Sequence, residues 1–355
     1  MTTTRPRVLY LDYLRILSTL AVVLLHVAAV NFRQVDVTSY AWQVFNVFDS
    51  AVRWAVPVFV MISGALFLNN DKPLPLRPLY TRTILRMVTA FLFWSAVYAA
   101  DVWLQGGDMK ETVAAFVEGN HHMWYLYMVV GLYVVAPLLR RITADKKMTE
   151  YFLLAGVVFT FLIPCALQFL KAVDLPYTTT VVNSLDAAFA DMEFHLTLGY
   201  PFYFVLGYYL ATYDVPLLWR RIGYGLGVVG FLITAVMTAL FSRRAGEANI
   251  VFYSNFSVNV LMMALGVFLF GKHVLSRITL SEKGTPRLLR LSALTFGVYL
   301  VHPLLIDLCS RWLGLSTLSF DPVLAVLVIT VLVTVVAFAL SALLHYVPFL
   351  KRYVV

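Results

Sequence analysis

Long apolar runs separated by short polar segments make up most of this 355-residue chain. Ten runs reach the length of about 20 residues that an α-helix needs to cross a bilayer. The predicted spans lie near residues 8–30, 44–68, 80–104, 122–140, 151–170, 195–213, 222–241, 252–271, 291–311 and 322–346. The pattern predicts an all-α polytopic membrane protein. Since no connection is long enough for a folded soluble module, residues 1–355 are expected to form a single transmembrane domain.

Composition and charge agree with this class. The chain is 61% hydrophobic and 13% charged, with a mean hydropathy of +0.81, which ordinary soluble domains do not reach. The net charge of +8 reflects topology rather than nucleic-acid binding. With the N-terminus inside, most Lys and Arg side chains fall in cytoplasmic segments, so the positive-inside rule favours both termini inside.

The stretch Leu11–His26 within the first predicted span carries an unusual polar stripe. Asp12, Arg15 and His26 are ionisable groups in an otherwise apolar run, and such groups are costly in a membrane and tend to be functional. Arg15 and His26 are eleven residues apart, which places them on nearly one helical face and roughly 16 Å apart along the axis. Asp12 precedes Arg15 by one turn and can pair with it.

Other spans carry polar or aromatic side chains that have structural explanations as well as functional ones. These candidate residues are Ser63, Arg82, Arg86, His122, Trp124, Tyr299 and His302. Helix packing explains the Ser63–Gly64 pair, and snorkelling to the interface explains the two arginines. An aromatic belt accounts for Trp124, and a satisfied buried histidine accounts for His302. The two cysteines, Cys165 and Cys309, form no disulfide framework or metal-ligand pattern, so no metal is expected.

Taken together and in order, these segments resemble one family. The matching segments are Arg15-x10-His26, VFVMISGALF (Val58–Phe67), the Arg82/Arg86 pair, HHMWYLY (His121–Tyr127), FYFVLGYYL (Phe202–Leu210) and SALTFGVYLVHP (Ser292–Pro303). They resemble the acyltransferase-3 family of integral membrane acyltransferases. Their sequences are most similar to the enterobacterial common antigen O-acetyltransferase subgroup. One departure is Met87, which stands where a proline often follows the third-span arginines.

The resemblance implies an activity and roles for these residues. The expected reaction is transfer of an acyl group, usually acetyl, from cytoplasmic acyl-CoA to a hydroxyl of an envelope glycan or lipid-linked saccharide. His26 would be the catalytic histidine, with Arg15 as its essential partner and Asp12 beside it, and Arg82 and Arg86 would lie near the donor. His122, Trp124, Tyr299, His302 and Ser63 would line the substrate vestibule. The expected location is a bacterial inner membrane, crossed several times.

The chemistry fits the first span. Acyl transfer from a thioester to an alcohol needs a base, and an imidazole suits that role near neutral pH. Direct transfer and a covalent acyl-histidine intermediate both agree with the pattern. The alternative function is a transporter or flippase for a lipid-linked saccharide or small anion that uses the same intramembrane His and Arg. A transporter would be expected to show inverted repeats, and none is recognisable.

Overall fold

The computed structural model describes residues 8–71, 73–173 and 178–355, and these residues form helices and no strand. The first half contains α1 (Leu9–Ala29), α2 (Tyr40–Val52), α3 (Ala55–Phe67), α4 (Leu76–Pro78), α5 (Leu85–Leu104), α6 (Met109–Glu118), α7 (Trp124–Thr143), α8 (Lys146–Gly156) and α9 (Ile163–Val173). The second half contains α10 (Thr178–Asp191), α11 (Phe194–Leu198), α12 (Tyr200–Thr212), α13 (Leu217–Ala245), α14 (Val258–His273), α15 (Gly284–Leu313), α16 (Pro322–Leu344) and α17 (Pro348–Tyr353). The predicted all-α membrane class is confirmed.

Nine helical segments within the described ranges are long and apolar enough to cross a membrane. They correspond to nine of the ten predicted spans. The second of these segments is broken into α2 and α3 around Arg53 and Trp54. The predicted sixth span, near 195–213, differs because its helix breaks at Gly199. Its main part, α12, has 13 residues, or about 20 Å at ~1.5 Å per residue, less than the ~30 Å of a bilayer core.

The short helix α12 nevertheless runs beside α14. At its start, Tyr203 Oη donates a hydrogen bond to the carbonyl oxygen of Asn255, 2.7 Å away and just before α14. At its end, Lys272 Nζ near the end of α14 donates to the carbonyl oxygens of Leu210 at 2.7 Å and Tyr213 at 2.8 Å. The two helices are therefore parallel, and α12 extends along most of α14.

The chain divides into two compact units. Unit 1 comprises Met1–Leu14, Arg53–Lys72 and Val135–Ile278, and helix packing in it depends on glycine. A Cβ atom on Gly64 of α3 would lie 1.7 Å from the carbonyl oxygen of Phe204, and one on Gly207 of α12 would lie 2.0 Å from that of Met61. Backbones can approach this closely only without side chains. The small pair predicted at Ser63–Gly64 therefore does permit close packing, through Gly64.

Unit 2 comprises Arg15–Val52, Pro73–Val134 and Thr279–Val355. In it, α1 and α15 run parallel, because Arg15 contacts Ser292 near one end of the pair and His26 contacts His302 further along. Helix α16 runs antiparallel to α15, since Ser341 near its end donates a 2.9 Å hydrogen bond to the carbonyl oxygen of Leu294. Helices α1 and α15 carry His26 and His302 of the candidate site.

Candidate functional site

Four histidine rings come together in unit 2, and we call them the histidine cluster: His26, His121, His122 and His302. The ring centroid of His26 lies 4.9 Å from that of His302, 5.5 Å from His121 and 6.3 Å from His122. His26 comes from α1 and His302 from α15, and the other two lie in the 3₁₀ turn His121–Met123 that precedes α7. Elements far apart in sequence thus build one group of imidazoles.

Pro303 explains the orientation of His302. A proline within a helix has no N–H, so the carbonyl four residues earlier loses its usual donor. That carbonyl belongs to Tyr299, and His302 Nδ1 lies 2.7 Å from it. His302 is fully buried, and a buried carbonyl needs a donor. We therefore assign the His302 proton to Nδ1, which leaves Nε2 as an acceptor.

The same logic assigns the proton of His26. Its Nδ1 lies 2.9 Å from the carbonyl oxygen of Val22 and 3.1 Å from His302 Nε2. Both neighbours are acceptors once His302 carries its proton on Nδ1, so His26 must donate from its own Nδ1. The lone pair of the neutral His26 ring is then on Nε2. The half-buried His26 therefore has its lone pair on the ring nitrogen that faces away from Val22 and His302.

The turn with His121 and His122 is tied to α15. Tyr299 Oη donates a 2.6 Å hydrogen bond to the carbonyl oxygen of His122, and the two rings lie 5.2 Å apart. His122 Nδ1 lies 2.9 Å from Asn120 Oδ1, so this nitrogen donates and Nε2 is an acceptor. His122 is 2% exposed, and within the described part of the chain no group bonds its Nε2.

Arg15 lies on the same side of α1 as His26, as the spacing predicts. Its Nη1 donates to Ser292 Oγ at 3.1 Å, and α1 is continuous between the two residues. The expected separation of roughly 16 Å along the helix therefore holds. Asp12 is buried one turn before Arg15, and its pairing with Arg15 stays a prediction.

The two arginines of the third span have different surroundings. Arg82 lies in a π-helical stretch, Leu79–Ile84, where the usual four-residue repeat does not hold, and it is exposed. Arg86 is half-buried: its Nη2 donates to the backbone oxygen of Val355 at 2.6 Å, and its guanidinium lies 5.5 Å from the Phe296 ring. Since Phe296 follows Ser292 by one turn, Arg86 and Arg15 reach neighbouring turns of α15.

The remaining predicted vestibule residues are Trp124, in unit 2, and Ser63, in unit 1. Trp124 is 41% exposed, and its ring lies 6.2 Å from that of Tyr125, which packs on Tyr299 at 5.7 Å. Ser63 lies on α3 in unit 1, so its role stays a prediction.

Sequence reasoning gave no site role to His121, Asp49 or Asp307. Asp49 is 1% exposed on α2, and Asp307 lies on α15 within electrostatic range of His121. The sequence signal that could have identified Asp49 and Asp307 is an acidic residue within an otherwise apolar span. Among the described residues, no three His, Cys, Asp or Glu side chains are grouped so that they could bind a metal ion.

Comparison with known families now decides the class. A family model described as an acyltransferase domain, that of the acyltransferase-3 family, matches residues 8–342. The chain belongs to the acyltransferase-3 family. It is thus a membrane acyltransferase with many apolar helices. No curated protein and no solved structure matches it, and the resemblance to the enterobacterial common antigen subgroup stays a prediction.

Proposed function

We propose that this acyltransferase moves an acyl group, in the first instance acetyl, from cytoplasmic acyl-CoA to a hydroxyl of an envelope glycan or lipid-linked saccharide at the outer side of a bacterial inner membrane. His26 acts as the general base. The observation that carries the proposal is the hydrogen bond between His26 Nδ1 and His302 Nε2, because it supports a proton-free Nε2 on His26.

The reaction follows from this tautomer. The acceptor oxygen adds to the thioester carbonyl carbon, its proton passes to His26 Nε2, and the carbonyl electron pair moves to oxygen. When the oxyanion collapses, the C–S bond breaks and the imidazolium returns the proton to the departing thiolate. An oriented general base contributes about 10²–10⁴ in rate. The other possibility, attack by His26 Nε2 itself to form an acyl-histidine, uses the same lone pair.

His302 acts as a positioning residue in this scheme. It accepts from His26 Nδ1 and holds the ring, as the carboxylate does for the histidine of a Ser-His-Asp triad. Because His302 is neutral, it orients the imidazolium through a hydrogen bond rather than through a full charge. Tyr299 supports it through the carbonyl oxygen that Pro303 leaves without a backbone donor.

The donor is proposed to approach along α15. Arg15 at Ser292 and Arg86 at Phe296 lie one turn apart on that helix. From Ser292 to His302 is ten residues, or about 15 Å, a distance that a long flexible thioester arm covers. Exposed Arg82 and the neighbouring basic residues suit the phosphates of CoA.

The test is acyl transfer by the purified full chain in lipid nanodiscs. Thiol release from acetyl-CoA is measured with and without an added glycan extract, and the product is identified by mass spectrometry. Wild type should release CoA and label an acceptor hydroxyl, and His26→Ala should lose at least about 100-fold in rate with an unchanged unfolding temperature. Near-normal turnover in His26→Ala would exclude the base.

The transporter alternative is separated in the same preparation. The family match favours an enzyme, so acyl-CoA consumption should depend on His26 and Arg15 in sealed proteoliposomes. Movement of a lipid-linked saccharide without any consumption of acetyl-CoA would instead support transport and contradict the proposal.

A further inference from the structure

A cavity of about 290 Å³ lies in unit 2. Its polar lining includes Gln105, Asp307, Ser310, Arg311 and Thr317. Ligand pockets in proteins begin at about 300 Å³, so the cavity suits a small group, on the order of one sugar ring. Amide, carboxylate and hydroxyl side chains in one small space offer both donors and acceptors to a polyol.

The cavity adjoins the proposed base through two helices. Val27 and Val30 of α1 line it, immediately after His26 and one turn beyond it. Ile306 of α15 also lines it, one turn beyond His302. Residues four apart lie on the same helical face, so a group in this cavity is about one turn from the hydrogen-bonded histidine pair.

The charges around the cavity favour one ligand class. Arg311 is already paired, because both of its terminal nitrogens contact the Asp101 carboxylate at 2.9–3.1 Å. Asp307 is within electrostatic range of both residues, and among the described side chains none forms an ion pair with it. Asp307 and Arg311 are the charged residues that line the cavity, and Asp101 neutralises Arg311 from outside the lining, so the Asp307 carboxylate gives the cavity a negative charge that disfavours an anion.

We infer that this cavity binds the acyl acceptor, and that it selects a neutral, hydroxyl-rich group of about one sugar ring, whose hydroxyls donate to the Asp307 carboxylate. The identification of the bound sugar as the acyl acceptor rests on the proposed function. Binding of the sugar in this cavity can be measured without any acyl transfer. Asp307 is a specificity residue here, while His26 carries the chemistry.

The test is equilibrium binding by saturation-transfer NMR to the full chain in nanodiscs, without acyl-CoA. The probes are methyl β-D-glucopyranoside and its anionic counterpart, methyl β-D-glucuronide, at about pH 8, where an ordinary imidazole is neutral. Wild type should bind the neutral probe at least about tenfold more tightly, since like charges repel across a site. Asp307→Asn should reduce that ratio to about twofold or less, and the matched control Asp191→Asn, at an exposed residue that ends α10, should retain it.

A second variant tests the cavity by volume rather than charge. Val30→Phe should fill the space and weaken binding of the neutral probe at least about fivefold, with an unchanged unfolding temperature. An octyl glucoside arm distinguishes the source of the sugar: tighter binding than the methyl glucoside supports a lipid-linked acceptor, and equal binding supports a free glycan.

Two results would overturn the inference: an unchanged neutral-to-anionic ratio in Asp307→Asn, or undiminished binding in Val30→Phe. Failure of the proposed function is a different result, namely a wild-type protein that binds the sugar probe with these selectivities and transfers no acyl group from acetyl-CoA.

Discussion

At the residue scale, the most informative feature is the sequence His302–Pro303. The proline removes a backbone donor, the carbonyl oxygen of Tyr299 takes its hydrogen bond from His302 Nδ1 at 2.7 Å, and His302 Nε2 then faces His26 Nδ1 at 3.1 Å. Each contact determines the next. A dipeptide that resembles a helix defect therefore specifies which nitrogen of His26 carries the lone pair.

Restoring the backbone N–H that Pro303 lacks should disturb the hydrogen bonds that link Tyr299, His302 and His26. In Pro303→Ala the new N–H competes for the Tyr299 carbonyl oxygen, and a hydrogen bond is worth about 1 kcal/mol. We expect kcat to fall about five- to tenfold with the acyl-CoA KM unchanged, measured by thiol release. Pro137→Ala in α7 is the matched control, since that proline also lies within a helix, and it should leave kcat alone. A fall in both variants would indicate a general helix effect.

Substitutions of His302 should distinguish its role in positioning the His26 ring from its role in packing. Gln at position 302 can accept from His26 Nδ1, whereas Phe fills similar space without an acceptor. We expect His302→Gln to retain at least about tenfold more kcat than His302→Phe, because an oriented base is worth about 10²–10⁴. Unfolding temperatures provide the control for packing. Equal kcat in the two variants would leave His302 only a structural role.

At the element scale, close helix contacts rather than helix propensity organise unit 1. Helix α12 is buried on nearly every side, and Gly64 and Gly207 bring it against α3 at backbone distance. A helix of this kind does not have to be as long as a lipid-facing span, because its neighbours surround it. This explains why a 13-residue helix stands where the hydropathy pattern indicates a full span.

Adding a methyl group at this contact between α3 and α12 should lower the stability of the protein. Gly64→Ala and Gly207→Ala each place a Cβ too close to a carbonyl oxygen, so α3 and α12 must move apart. Overpacking of this kind lowers the free energy of unfolding by about 1–3 kcal/mol. Their thermal unfolding, followed by tryptophan fluorescence, should shift downward. Gly131→Ala is the matched control, because nothing lies within 4 Å of its added Cβ. It should be neutral or stabilising, and equal shifts in all three would contradict the close contact.

At the scale of the whole molecule, helix directions bear on topology. Within unit 2, α1 and α15 are parallel, and within unit 1, α12 and α14 are parallel. Alternating spans give parallel α1 and α15 only if an odd number of crossings lies between them. The described long helices supply six, and the short α12 would supply the seventh. We therefore expect ten crossings with both termini on one side, as the positive-inside rule predicts.

Accessibility of single cysteines tests this count. With Cys165 and Cys309 replaced by alanine, Glu193→Cys before α11 and Asp214→Cys after α12 should react with an impermeant maleimide from opposite sides of the membrane. Ala144→Cys should match Asp214→Cys, because Tyr208 Oη after mid-α12 reaches the carbonyl oxygen of Thr143 at 3.2 Å. Labelling of positions 193 and 214 from one side would make α11 and α12 a re-entrant segment.

The sequence alone determined the membrane class, nine of the long helices and the shared face of Arg15 and His26, because hydropathy and helical period are local properties. Motif order also determined the family. Only the tertiary structure decided that His121 and His302 join His26, that Arg86 lies near Phe296 while Arg82 is exposed, and that α12 is short. These depend on contacts between segments up to 277 residues apart, and no local periodicity encodes such contacts. The proton on His26 belongs to this second group, since it follows from a carbonyl on another helix.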